Sequence, residues 1–167
     1  MGNLARQKGA FEEASKAFKH SVRLHQNIGS GHDLPPMMSL ALAHLKTENL
    51  GAARELLEAG CTRCRRDEKR HMLGCALACL LPCYASAEDW KSWDAAIDES
   101  RDLLNETGVL STDVAWPVQM GAELALEAGE RARAKAAYEL ALKQWMGLAQ
   151  DEKIGEVMNA VNALIDD

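Results

Sequence analysis

The chain has 167 residues, with 19 Lys and Arg against 25 Asp and Glu, a formal net charge of −6 and a pI near 5.4. A chain this acidic lacks the basic face that phosphate binding needs, so no nucleic-acid partner is expected. Aromatics make up only 5% of it, prolines number four, and no segment alternates apolar and polar residues for long. Such a composition excludes a sheet protein and points to an all-α chain, long enough to bury one real core.

In chain order, residues 11–26 carry Phe11, Ala14, Phe18, Val22 and His25 as a helical stripe. A helix over 34–46 follows, with Asp33 as its N-cap and Pro35 in its first turn. The next spans 50–65 and lines up Leu50, Ala53, Leu57, Gly60, Cys61 and Cys64. Residues 69–87 form a long helix interrupted by Pro82, which removes one backbone hydrogen bond and should bend it. A helix over 90–106 ends near Thr107 and Gly108, and Ser111 or Thr112 caps another that runs to about Ala128. Residues 131–148 follow Gly129, and a last helix over 151–165 places Ile154, Val157, Met158, Val161 and Leu164 on one side. Connections this short leave only antiparallel neighbours, so the chain reads as a row of helix hairpins.

A pattern returns every 39 to 41 residues: Phe11, Leu50, Trp90 and Arg131 are equivalent. So are Ala14, Ala53, Trp93 and Ala134, then Phe18, Leu57, Ile97 and Tyr138, then Ser21, Gly60, Ser100 and Ala141. Turn signals precede each set at Lys8-Gly9, Glu48-Asn49, Glu88-Asp89 and Ala128-Gly129. A period of this length marks stacked supersecondary units, which build interaction surfaces more often than catalytic sites.

These residues resemble tetratricopeptide repeats (TPRs). In that family the first helix of a hairpin carries a large residue, a small one, and another large one three on. Here those are Leu40 and Ala41 with His44, Leu80 and Leu81 with Tyr84, and Gly121 and Ala122 with Ala125. The second helix carries the large-small-large-small series above. The resemblance implies a right-handed α-α superhelix, a solenoid of antiparallel hairpins. It covers a partial repeat at 1–30, repeats at 34–67, 68–109 and 111–148, and a terminal helix at 151–165. Counting back from Phe11, the first hairpin is incomplete, which suggests a piece of a longer array. The period departs from the family's usual length of about 34. Trp93 and Leu81 stand where small residues are usual, so the third hairpin is expected to be splayed or irregular. Long-period arrays of this kind are similar to those in large bacterial signalling regulators.

The family's inner face is lined by the first helix of each hairpin. Carried over, that face comprises Pro35, Met38, Leu42 and Leu45, then Cys75, Ala78, Pro82 and Ala85, then Trp116, Gln119, Glu123 and Leu126. The resulting trough is apolar enough for a helix or extended peptide. Met38, Leu42, Leu45 and Trp116 would supply contact area, and Gln119 and Glu123 would fix polarity. The Lys, Arg and Asn clamp with which one sub-family binds a C-terminal carboxylate is missing. The partner expected is therefore a protein or peptide, in a non-catalytic scaffold. Two alternatives stay open: a homodimer through the unfinished first hairpin, where Leu4 and Phe11 would be partly uncovered, and a small-molecule sensing array.

Five cysteines crowd between Cys61 and Cys83, an odd number and a poor disulfide framework. They read as free thiols in a reducing cytoplasm. Cys61, Cys64, His71 and Cys75 could supply four zinc ligands, and Cys61 with Cys64 a redox pair, but small buried thiols explain the same spacing. No phosphate loop, paired-His motif or nucleophile with its base stands out, so neither enzyme activity nor a cofactor is expected. The basic run Arg63, Arg65, Arg66, Lys69 and Arg70 reads as a solvated helix end, with a dock for an acidic partner as the alternative. His44 takes a core aromatic position, while His20, His25 and His32 fall on surface or loop positions. The opening residues are amphipathic and charged, unlike a secretory signal, and Arg6 stands where a myristoylation signal needs a hydroxyl. The uncharged stretch from Met72 to Ala87 is too short to span a membrane.

Overall fold

A computed structural model of the chain describes residues 34–165 and Lys16. The expected stripe at 11–26, the Asp33 cap and the face of the first hairpin lie outside the described residues. Among the described residues seven helices follow one another: α1 (Leu34–Lys46), α2 (Leu50–Arg66), α3 (Arg70–Ser86), α4 (Trp90–Thr107), α5 (Thr112–Glu127), α6 (Arg131–Gly147) and α7 (Asp151–Ile165). Among the described residues there is no strand. The helices pack as antiparallel pairs, α1 on α2, α3 on α4 and α5 on α6, with α7 resting on α6.

One turn chemistry repeats at nearly every connection. Glu48, Glu68, Glu88, Gly129 and Ala149 all have positive φ, between 52° and 81°. At Glu48 the amide donates to Leu45 O at 3.0 Å, and the next amide, Asn49, reaches back to His44 O at 2.9 Å. The same pair of bonds closes the turns at Glu68, Glu88, Gly129 and Ala149. This is the Schellman ending, which satisfies the last helix carbonyls through one left-handed residue. Gly108 is left-handed too, but closes with a single bond to Leu104 O at 3.0 Å, the simpler αL ending. The longer connection that follows is held by Gln144 on α6. Its amide oxygen accepts from Ser111 N–H at 3.1 Å and its nitrogen donates to Val109 O at 3.0 Å. Left-handed residues at 48, 68, 88, 108, 129 and 149 fall 20 or 21 apart, so two helix-plus-turn units make up the repeat period. Starts are capped as well. Asn49, Asp89 and Ser111 accept amide bonds from Ala52, Ser92 and Asp113.

The first helices of two successive hairpins, α3 and α5, press directly together. A Cβ added to Gly121 would stand 2.8 Å from Leu81 Cβ and 3.1 Å from the Pro82 nitrogen. Glycine is therefore what lets the α5 backbone sit against the large Leu81. Leu81 is wholly buried there, and the missing side chain lies across the interface, on the neighbouring hairpin. Pro117 adds a second lock. Having no N–H, it leaves the Asp113 carbonyl without its helical donor. The Cys79 thiol of α3 donates to that carbonyl instead, with Sγ to O at 3.4 Å. Burial pushes the Cys79 thiol well above its ordinary pKa, which keeps the proton in place. Pro82 is itself buried within the continuous helix Arg70–Ser86.

On the opposite side the second helices stand apart. Trp93 is 1% exposed and lies beside a cleft of about 470 Å³ between α4 and α6, shared with Ala132 and Ala136. Its indole N–H has no partner among the described residues, a cost of placing Trp where a small residue is usual. Charge pairs clip these helices across the gaps. Arg54 meets Asp89 at 2.9 Å, Arg65 meets Glu99 at 2.5 Å, and Arg133 grips both oxygens of Asp94 at 2.8 Å. Arg133 also lies over the Trp90 ring, 5.4 Å from its centre. Exposed pairs of this kind are worth about 0.2–1 kcal/mol each, so they align the helices more than they stabilise them.

Three substitutions test these contacts by denaturant unfolding. Gly129→Ala meets nothing within 4 Å, so its cost is that of a left-handed alanine alone, about 1 kcal/mol. Gly121→Ala should cost about 1–3 kcal/mol by overpacking against Leu81. Cys79→Ala should cost about 1–3 kcal/mol by stranding the Asp113 carbonyl. In a Pro117→Ala background, where the new backbone N–H restores the helical donor, that cost should shrink by at least about 0.5 kcal/mol. Strict additivity of the two would show that the thiol is not the carbonyl's donor.

Candidate functional site

Where α3 and α5 close on each other, the inner face is sealed; where α1 and α3 face each other, it opens. A cavity of about 260 Å³ lies between α1, α3 and the start of α5. Its walls bring together Pro35, Met38 and Leu42 from α1 with Cys75 from α3, four of the residues that sequence places on the inner face. Met38, Leu42 and Cys75 are half-buried, packed at their bases against the core with their outer parts open. Trp116 of α5 is half-buried as well, and the Lys46 ammonium at the end of α1 stands 5.6 Å from its ring centre. That contact carries α1 across to α5.

Several expected groove residues turn out to be core. Leu45, Ala78 and Pro82 are all below 2% exposed, and Ala85 is buried as well. For Ala78, Pro82 and Ala85 the reason is the tight α3–α5 approach through Gly121, which covers the α3 face that would otherwise line a trough, whereas Leu45 belongs to the buried core on α1. Gln119 is half-buried and already engaged. It accepts from the Trp145 indole N–H at 3.0 Å and donates to Glu123 at 3.1 Å, tying α5 to α6. Glu123 remains exposed. Conversely, Ser39, Met72, Cys79, Ser111, Asp113 and Val114 also line the cavity. Met72 was within reach of sequence reasoning, because it lies three residues before Cys75 on the same helix face. Ser111 and Asp113 were not, since they arrive from the next hairpin.

The thiols are built for packing. All five are free, and four are buried. Burial is the first cause in each case. It pushes Cys61 and Cys83 up to about 12 and Cys75 up to about 11, and raises Cys64 and Cys79 as well. Such thiols stay protonated at neutral pH and act as small hydrophobes. Among the described residues no three His, Cys, Asp or Glu side chains converge on a metal position, and His71 is exposed. The Cys61, Cys64, His71 and Cys75 set is therefore not assembled. His44 is buried, as its core position requires.

The basic run at the end of α2 is largely engaged with the chain's own carboxylates. Arg65 pairs with Glu99, Arg66 with Asp67 at 2.7 Å, Arg63 with Asp67 at 3.6 Å, and Arg70 with Glu106. A second groove of about 360 Å³ separates α2 from α4, but its rim carries Glu58, Arg65 and Glu99. It is the more polar of the two surfaces. No helix among the described residues is long and apolar enough to cross a membrane.

No family model and no curated protein matches the chain. Among solved structures it is similar to a protein of Podosopora anserina named as a kinesin light chain with nearly identical TPR-like repeats. The match has a TM-score of 0.60 at 15% identity and covers 97% of this chain and 92% of that one. A point variant of the same protein matches with a TM-score of 0.61 at 15% identity, over 97% of this chain and 91% of that one. Consecutive helix pairs, a helix-plus-turn spacing of 20 or 21 residues and this likeness together give the chain a TPR-like solenoid fold.

Proposed function

We propose that this chain is a non-catalytic protein-interaction module that captures a helix or extended peptide on its inner face, at the opening between α1 and α3. The observation that carries this reading is the cavity itself. It joins Met38, Leu42 and Cys75 with Met72 in one apolar hollow. Unbranched Met side chains adapt to different partners, and a hollow between helices is a common seat for an anchoring side chain. A regulator of the reducing cytoplasm suits a chain whose cysteines are all unpaired. The contact set of the proposal is Met38, Leu42, Cys75 and Trp116, with Glu123 at the exposed edge; Leu45, Ala78 and Pro82 are buried and fall outside it. The alternative of assembly through the first hairpin concerns Leu4 and Phe11, outside the described residues.

The test is a helical peptide selected from a display library on the wild-type protein, then titrated against the double variant Met38→Glu, Leu42→Glu. Burying two new charges under a ligand should weaken binding by at least about tenfold, since one interfacial anchor is worth roughly 1–2 kcal/mol. The helical circular-dichroism signal should persist. Its collapse would make both residues core, and unchanged affinity would place the ligand elsewhere.

A further inference from the structure

The cavity between α1, α3 and α5 has walls of one kind and a rim of another. Met38, Leu42, Met72 and Cys75 make the walls, and among the described residues that line it Asp113 brings the only carboxylate. Asp113 is exposed, and its carboxylate has no ion pair among the described residues. Several other carboxylates, among them Asp67, Asp89, Asp94 and Glu106, are matched to arginines of the chain itself. Asp113 also faces the hollow closely enough to help push the Cys75 and Cys79 thiols upward, so its charge is felt inside. Ser111 adds a hydroxyl at the same rim, though it is partly used in capping α5.

The space is the right size for one large side chain. A dry apolar cavity of about 150 Å³ takes a benzene ring; about 260 Å³ takes a longer group that ends at the mouth. Lysine and arginine have that form, an apolar stem and a charged head that seeks the rim. A leucine or phenylalanine fills the walls equally well but leaves Asp113 unmatched. The chain's net charge of −6 also draws a cationic segment toward it before contact.

We infer that the inner-face cavity selects a basic amphipathic helix, seating the stem of one lysine or arginine against Met38, Met72 and Cys75 and its cationic head at Asp113. This rests on the proposed groove and specifies its ligand.

The test uses two labelled amphipathic peptides with the same leucine pattern, one with lysine and one with glutamate on the polar face. Each is titrated by fluorescence anisotropy against the wild type, Asp113→Asn, Met38→Glu and Glu139→Gln. The last removes an equal charge from an exposed site on α6 and controls for net charge. The leucine–lysine peptide should bind the wild type, the leucine–glutamate peptide should bind at least about tenfold more weakly, and Asp113→Asn should cost roughly fivefold where Glu139→Gln costs little. If both peptides bind alike, or the two charge variants behave alike, while Met38→Glu still weakens binding, the cation preference is overturned and the groove stands. If Met38→Glu changes neither titration, or if neither peptide binds, the groove reading fails with the wild-type fold intact and this inference falls too.

Discussion

The contact between Gly121 and the Leu81–Pro82 segment governs how this solenoid is built. Helices normally approach to a distance set by the side chains between them, and a missing Cβ lets two backbones come nearer. Here α5 has no Cβ at the crossing, so α3 can carry a leucine where its neighbours carry small residues. From this follow the burial of Ala78, Pro82 and Ala85, the reach of the Cys79 thiol to the Asp113 carbonyl, and the narrowness of the inner face at its C-terminal side. Proline and cysteine work as a pair in the same contact. Pro117 deprives a carbonyl of its donor, and Cys79 from the other helix supplies one.

That closeness has a counterpart on the outside. Bringing α3 and α5 together separates α4 from α6, and the gap is spanned by Arg133 and Asp94 and flanked by Trp93. A large Trp at a usually small position holds the outer helices apart, just as a Gly at a usually large position draws the inner ones in. The two departures from the repeat pattern thus favour the same curvature. Between α1 and α3 no such glycine contact acts, and the hollow that remains there is the surface best suited to a partner. It stands beside a buried core that includes Leu45, Ala78 and Cys79, while its half-buried Met side chains can adapt.

Much of this was legible in the residues. Helix boundaries follow from local causes: apolar spacing, Ser111 as a cap, and the turn signals at Glu48-Asn49, Glu88-Asp89 and Ala128-Gly129. The partial exposure of Met38 and Leu42 could be read from their helix face. The burial of Pro82 could not, because a proline in a helix can face either a partner or the next hairpin, and only the sequence of that hairpin decides. Gln119 illustrates the same limit: its polarity suggested a ligand contact, but the Trp145 indole, 26 residues on, had already claimed it.

By itself, then, the sequence determined an all-α chain, its helices, its turns and its repeat period, since each depends on residues within about one helical turn of each other. Tertiary structure alone decided which face of α3 is core, where the inner groove closes, and which charges are matched. Those outcomes rest on contacts between residues 34 to 39 positions apart, such as Arg65 with Glu99, Cys79 with Asp113 and Arg133 with Asp94. A pattern of residue types does not encode the distance between two helices; the packed side chains at their crossing do.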